Sequence, residues 1–373
     1  MVVPSYVENA LSRIVYNFHY LIEMGDIVVF GAFGPFFEDF EIGMKIKHRP
    51  CRTVSQYDNV LWSALTLDYT PLYLDETYAS LTSTGRISIN PRFVHSLVVG
   101  LSTRDTSLNT MAFLGVDYEK LHAPVFPGDT LCVESEVVTK RESKRPNVGV
   151  VSWVVRAFNQ KGEIVYETKR SNLIYKRQES PWIKYLEARD LVTKNRENKD
   201  YRRDPIASQE LSPSHPGWWG RFLEDFSPGQ VMIHRIGRTV YQYDNLLSTV
   251  VSMNVATLHF DSEYMLFHEY GEPVVQGPLV VGIACGISST ELGVNLARDL
   301  GIRELKLTSP VFDGDTLHAK TEILGAEPLE TTGIVRAKTT VFKDNFSKEV
   351  GSFVRELEIY RKGFSPWVKI WKE

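Results

Sequence analysis

Several segments of this 373-residue chain recur at a single spacing. FEDFEIG (37–43) returns as LEDFSPG (223–229), and RTVSQYDN (52–59) returns as RTVYQYDN (238–245), each 186 positions later, the second pair identical at seven of eight positions. LHAPVFPGDTL (121–131) comes back as LTSPVFDGDTL (307–317) at the same offset. A period this long belongs to a domain and not to a solenoid repeat, so one fold must be built twice. The two copies are expected at 35–177 and 218–362. Residues 178–217, dense in charge and then in Pro, Ser and Gly, are expected to form a solvated connector. Residues 1–34 have no counterpart, and Met24 is a candidate alternative start that intact mass would test.

Within each copy the elements run in one order. YDNVLWSAL and YDNLLSTVV have the apolar spacing of a short helix. A second helix is expected at about 91–103 and 278–297. Its later form, PLVVGIACGISSTELGVNLA, is apolar or small on nearly every side, the mark of an enclosed helix. Pro278 suits its first turn, where a missing N–H costs nothing. Alternating runs then follow a Gly-Asp turn, DTLCVESEVV and DTLHAKTEIL, and a hairpin closes each copy. The predicted class is therefore α+β, a curved antiparallel sheet wrapped around one helix, present twice.

Composition excludes several functions. A formal charge of −4 without a single-sign block leaves no footprint for a nucleic-acid backbone, so no nucleic-acid partner is expected. Cys51, Cys132 and Cys285 are scattered, with no CxxC spacing, and predict neither a disulfide framework nor a zinc cluster. The start lacks the features of a secretory signal. Its longest apolar run, IVVFGAF, is far short of the roughly 18 residues of a membrane span, so no membrane association and a cytoplasmic location are expected. There is no P-loop, no GxGxxG after a strand, no HExxH and no GxSxG elbow.

The order EDF..G, RT....D, an Asp-x-x-x-x-His type of loop, a small-residue helix and PV..GDTL resembles the MaoC-like hydratases, whose units adopt the hotdog fold. The resemblance covers roughly 35–177 and 218–362. SLNTMAFLGVDYEKLHAPVFPGDTL (107–131) and NVATLHF (254–260) are similar, more narrowly, to the mesaconyl-CoA hydratase branch, also called β-methylmalyl-CoA dehydratases. The resemblance implies a tandem double hotdog that reversibly adds water across the double bond of an α,β-unsaturated acyl-CoA. It implies no metal and no organic cofactor, the CoA thioester being substrate. The family's loop holds its acid and histidine five positions apart, and here each copy keeps one of them. The first has Asp68 and Tyr73; the second has Asn254 and His259.

Hydration of an enoyl thioester needs a base for water, a proton for Cα and donors for charge developing on the thioester oxygen. Imidazole titrates near neutrality, and an amide beside it can hold water. Gly277 precedes the enclosed helix, where bare N–H groups favour an anion and the missing side chain permits close approach. The resemblance places the family's oxyanion donor at this same glycine. The second copy is thus the candidate centre: His259 as base and acid, Asn254 orienting water, Gly277 as oxyanion donor. Asn254 is equally readable as a turn residue, and Gly277 as an entry to the helix. Asp68 either reaches a site across the contact between copies or caps a turn. The first copy, with Tyr73 and His95, is expected to shape the acyl and CoA groove. Arg86, Arg92 and Arg104, which flank its helix, are candidate cations for phosphate or carboxylate. Arg52 with Asp58, and Arg238 with Asp244, read as ion pairs holding the short helix to the sheet. Two further readings stay open: a thioesterase on the same scaffold, with Asp68 as its carboxylate, and a non-catalytic acyl-CoA-binding subunit. Self-association into a dimer is expected.

Overall fold

The computed structural model describes residues 34–181 and 220–370 except 235, together with two short paired strands, Ile22–Met24 and Ile27–Val29. Residues 182–217 of the expected connector lie outside the described residues.

In each copy a short helix follows the first short strands, α1 (Gln56–Thr66) in the first and α3 (Gln242–Val251) in the second. The repeated aspartate explains where they start. Asp58 accepts the Ser55 N–H at 2.7 Å and the Arg52 guanidinium at 2.6 Å; Asp244 accepts the Tyr241 N–H at 2.9 Å and Arg238 at 2.8 Å. One carboxylate therefore satisfies a first-turn donor and ties the helix to the strand before it, as the spacing predicts. Both helices are followed by a left-handed residue, Leu67 (φ 63°) and Met253 (φ 57°), which turns the chain into the Asp68 and Asn254 loops.

The enclosed helices are α2 (Pro91–Thr106) and α4 (Gly277–Leu292), which pack side by side at the centre. α4 stops five residues earlier than its apolar run predicts, because Leu296 onward is needed as a strand. The long strands are β1 (Thr110–Leu121), β2 (Thr130–Glu142), β3 (Val148–Phe158) and β4 (Ile164–Tyr175) in the first copy. β5 (Leu296–Leu307), β6 (Thr316–Pro328), β7 (Thr332–Lys343) and β8 (Lys348–Tyr360) repeat them. With four short strands they make one 12-stranded antiparallel sheet, in the order Arg238–Thr239, β6, β7, β8, β5, β1, β4, β3, β2, Lys45–Lys47. Each half curls around its own helix, the α+β architecture of a tandem double hotdog.

The halves join where β5 pairs β1, with Leu305 opposite Val116 and Lys306 opposite Gly115. Both seam strands are bulged, at 113–115 and 299–301. Gly115 (φ 141°) and Gly301 (φ 123°) sit in these bulges, where a Cβ would lie 2.1 Å from the Leu305 carbonyl oxygen and 2.4 Å from that of Glu119. Bulging breaks the two-residue alternation, which is why the sequence pattern shows no strand there. The register also pairs Arg52 with Leu131, so Cys51 stands opposite Cys132, and these two form a disulfide. That corrects the expectation of unpaired thiols; Cys285 is free and buried in α4.

The halves interlock below the seam. Gly100 of α2 lies against the chain that follows α3, and Gly286 of α4 lies against the chain that follows α1. A Cβ would fall 1.8 Å from the Ser252 carbonyl oxygen in the first case and 1.9 Å from that of Thr66 in the second. Each enclosed helix thus seats the loop of the other copy.

Candidate active site

A cavity of ≈ 230 Å³ lies at the junction of the copies, lined from the second by Asn254, His259, Val274, Gly277 and Pro310, and from the first by Thr103, Phe113, Arg170 and Asn172, among others. The three residues chosen for the chemistry therefore share one wall.

Asn245, unremarked in the sequence, holds that wall in place. Its Nδ2 donates to the carbonyls of His259 (2.8 Å) and Val274 (3.1 Å), while its Oδ1 accepts the Gln276 N–H at 3.0 Å. Loop, cavity edge and helix entry are so fastened to one amide. Asn59 does the same in the first copy, to the carbonyls of Tyr73 and Ser88 and the N–H of Asn90. The signal was present: Asn follows Asp in both copies of YDN.

His259 is half-buried. Its Nδ1 lies 2.8 Å from the Val274 carbonyl oxygen. A carbonyl only accepts, so Nδ1 carries the proton and Nε2 keeps its lone pair, the arrangement a general base requires. Burial brings the imidazole down to about 4, with the Val274 carbonyl opposing and nearby His268 assisting, so the ring is neutral at pH 7. Asn254 is buried and oriented at both ends: Oδ1 accepts the Ala256 N–H at 2.9 Å, and Nδ2 donates to Gln276 Oε1 at 3.4 Å. One lone pair and one N–H of the amide are left over. Gln276 is itself bonded to Ser248. Gly277 opens α4, and among the described residues its N–H has no acceptor, as expected of a first-turn donor. A Cβ there would sit 2.9 Å from Leu307 and 3.2 Å from Phe113, both lining the cavity.

A second cavity, ≈ 100 Å³, is lined by fifteen residues, and every one is the counterpart, 186 positions away, of a residue lining the first. It is the counterpart of the first cavity, with the candidate residues replaced. Tyr73 stands in the place of His259; burial raises its phenol well above its usual range, so it is no base near neutrality. Pro91 stands in the place of Gly277 and has no N–H to offer. Asp68 is buried and fully engaged: Oδ1 accepts from the Thr70 N–H and hydroxyl (3.2 and 2.6 Å), and Oδ2 from Asn90 Nδ2 (2.9 Å). It lines neither cavity.

The expected cations lie elsewhere. Arg86 is exposed and stacks on Phe126, its guanidinium 4.0 Å from the ring centre, and Arg104 is exposed on α2. Arg92 is buried between the copies, paired with Glu119 (2.5 Å) and Asp299 (3.4 Å), and His95 joins that network through Glu119 (2.9 Å) and Tyr166 (2.6 Å). Burial works against the Glu119 charge, but Arg92 and then His95 outweigh it and hold the carboxyl near 2. None of these side chains lines the larger cavity.

One arrangement imitates a hydrolase. Ser135 Oγ is 2.7 Å from His48 Nε2, and His48 Nδ1 is 3.0 Å from Asp105. Both Ser135 and His48 are buried away from either cavity, and the second copy repeats the motif as Thr321, His234 and Glu291. It braces the enclosed helix against the sheet. Among the described residues no group of three or more His, Cys, Asp or Glu is placed to hold a metal, and no helix is long and apolar enough to cross a membrane.

A family model described as mesaconyl-CoA hydratase matches residues 26–359. The chain is 29% identical to β-methylmalyl-CoA dehydratase of Chloroflexus aurantiacus, over 83% of this chain and 89% of that one. It is 30% identical to mesaconyl-CoA hydratase of Cereibacter sphaeroides, over 81% and 86%. Among solved structures, a MaoC-domain dehydratase from C. aurantiacus superposes with a TM-score of 0.74 at 26% identity, covering 88% of this chain and 98% of its own.

Proposed function

The chain belongs to the mesaconyl-CoA hydratase family, and from that premise we propose that it is a hydro-lyase acting on an α,β-unsaturated acyl-CoA, with mesaconyl-CoA and β-methylmalyl-CoA as its substrate pair. The observation that carries the reading is the convergence on one cavity of a histidine with a free Nε2, an oriented amide and a bare helix-start N–H. Water held by Asn254 gives a proton to His259 Nε2 as its oxygen bonds to Cβ. The double-bond electrons move toward the carbonyl, and the negative charge on the thioester oxygen is met by the Gly277 N–H. The imidazolium then returns the proton to Cα. Burial suits the ring to that return, because a histidine that resists protonation is a strong acid once protonated. Base, acid and oxyanion donor all come from the chain itself, so the mechanism calls on no cofactor.

In this proposal units 35–177 and 218–362 divide the labour, the first supplying the far wall of the cavity. Thioester hydrolysis lacks its carboxylate here, since Asp68 is engaged and outside the cavity. Self-association is part of the proposal, and rests on Tyr243, Leu246, Leu247 and Val250, which α3 leaves exposed; sedimentation of the purified chain tests it. A cytoplasmic setting is also part of the proposal. The decisive assay follows loss of enoyl absorbance with mesaconyl-CoA beside release of free CoA thiol. Hydration without thiol release is expected; thiol release, or no turnover of any enoyl-CoA, overturns the reading.

A further inference from the structure

Among the described residues Arg170, on β4, is the one permanently charged side chain lining the larger cavity, and no carboxylate lines it. The guanidinium is buried. Nη1 donates to Ser107 Oγ (3.4 Å) and Asn172 Oδ1 (3.2 Å), Nη2 to Ser102 Oγ (3.0 Å) and Thr106 Oγ1 (2.6 Å), and Nε has no acceptor. Every one of these partners is neutral. Among the described residues none forms an ion pair with Arg170, and burial draws its pKa down to about 10. A buried cation without an anion pays its desolvation penalty uncompensated, and a fold that keeps one has a use for it.

The internal repeat shows what is missing. Arg355, at the matching place on β8, bonds Ser288 as Arg170 bonds Ser102, those serines standing 186 positions apart. Arg355 has its anion: Asp299 Oδ2 lies 3.3 Å away, and Asp299 lines the smaller cavity. The residue in register with Asp299 in the first copy is Phe113, which lines the larger cavity and carries no charge. Where the site is dead the protein supplies the carboxylate; where it is live the carboxylate has been taken away and the arginine kept.

We propose that Arg170 is a specificity-determining residue that receives the free carboxylate of the acyl group. Asn172 and Ser107 hold the guanidinium and line the same cavity. This inference rests on the hydratase reading and adds the residue that selects among enoyl-CoAs.

The test compares mesaconyl-CoA with tiglyl-CoA, which differs only in bearing a methyl where mesaconyl bears the carboxylate. The wild-type chain is expected to favour mesaconyl-CoA at least about 100-fold in kcat/KM. Arg170→Met is expected to lower that value for mesaconyl-CoA by about 30- to 3000-fold, the loss that follows truncation of one member of a buried charge pair, and to lower it for tiglyl-CoA by a factor at least about tenfold smaller. Equal losses on both substrates, or a wild-type chain indifferent to the carboxylate, overturn the proposal. Calorimetric titration of the wild-type chain with the saturated pair, 2-methylsuccinyl-CoA and 2-methylbutyryl-CoA, needs neither a folded variant nor turnover. Binding at least about tenfold tighter for the former is expected, and equal binding overturns the assignment of Arg170. Absence of turnover with both enoyl-CoAs strikes the hydratase reading instead.

Discussion

The interlock between the copies makes an internal control available. In Gly100→Ala the new methyl would lie 1.8 Å from the Ser252 carbonyl oxygen and 3.0 Å from the Asn254 amide nitrogen, whereas ordinary contact begins near 3.4 Å. Gly100 and its neighbours on α2 are buried, so the loop must retreat, by about 1.5 Å, and Asn254 retreats with it. A misplacement of 1 Å at reacting groups costs on the order of 100-fold, so kcat/KM for the preferred enoyl-CoA should fall at least that far. Overpacking alone should cost about 1–3 kcal/mol of stability. Gly286→Ala makes the matching clash, 1.9 Å from the Thr66 carbonyl oxygen and 2.8 Å from the Asp68 amide nitrogen, but the loop it displaces serves the smaller cavity. Its thermal midpoint should drop by a similar amount while kcat/KM stays within about threefold. The assay is loss of enoyl absorbance at a temperature where both variants are folded by circular dichroism. Equal loss of activity in the two, at equal loss of stability, would refute the assignment of the live site to the second copy.

His259→Ala should lower kcat by roughly 100- to 10,000-fold with the fold intact, the range for removal of a general acid–base. Because burial lowers its pKa to about 4, the base form persists well below pH 6.5, so the acid limb of the kcat/KM profile should bend near 4; a bend near 6.5 would contradict the buried neutral ring. The same shift acts on stability. The unfolded chain protonates this ring near 6.5 and the folded chain only near 4, so stability should fall as pH drops through that window, and less so in His259→Ala. Asn254→Ala should reduce kcat about 10- to 100-fold with little change in KM, by freeing the water rather than the thioester. Tyr73→Phe should leave kcat within about threefold, read in the same absorbance assay.

The parts of the molecule that could be read in advance are those whose cause is local or repeated. The enclosed helices announce themselves by small and apolar residues all round, and RT...YDN by a carboxylate three residues into a helix. The loop residues Asn254 and His259 were visible because the first copy offered a register to compare them with. What stayed hidden depends on how strands pair. The seam strands break alternation at Gly115 and Gly301, so no period marks them. Cys51 and Cys132 meet only through the register of Arg52 with Leu131. Arg170 sits in KRSNLIY, which reads as an ordinary strand; that its side chain points inward to four neutral acceptors follows from its place opposite Trp153 in the sheet. Arg86, Arg92 and Arg104, before and within α2, were better placed in sequence and worse placed in space.

The asymmetry between the cavities has a physical logic that neither alone displays. A tandem of identical copies would hold two open sites across one junction, each weakening the packing of the enclosed helices. Here one has been closed with the protein's own groups: Asp299 enters from β5, bridges Arg355 and Arg92, and joins the two copies by charge where the other cavity is open. Pro91 starts α2 with no donor left to satisfy, and Asn90 caps it while holding Asp68. On that side Pro91 removes the helix-start donor and Asp299 pairs the arginine, whereas the other side keeps, beside the Asn254 amide, the Gly277 N–H, the His259 lone pair and the Arg170 charge. A site is the place where a fold leaves such groups unsatisfied, and the substrate that fits is the one that satisfies all three at once.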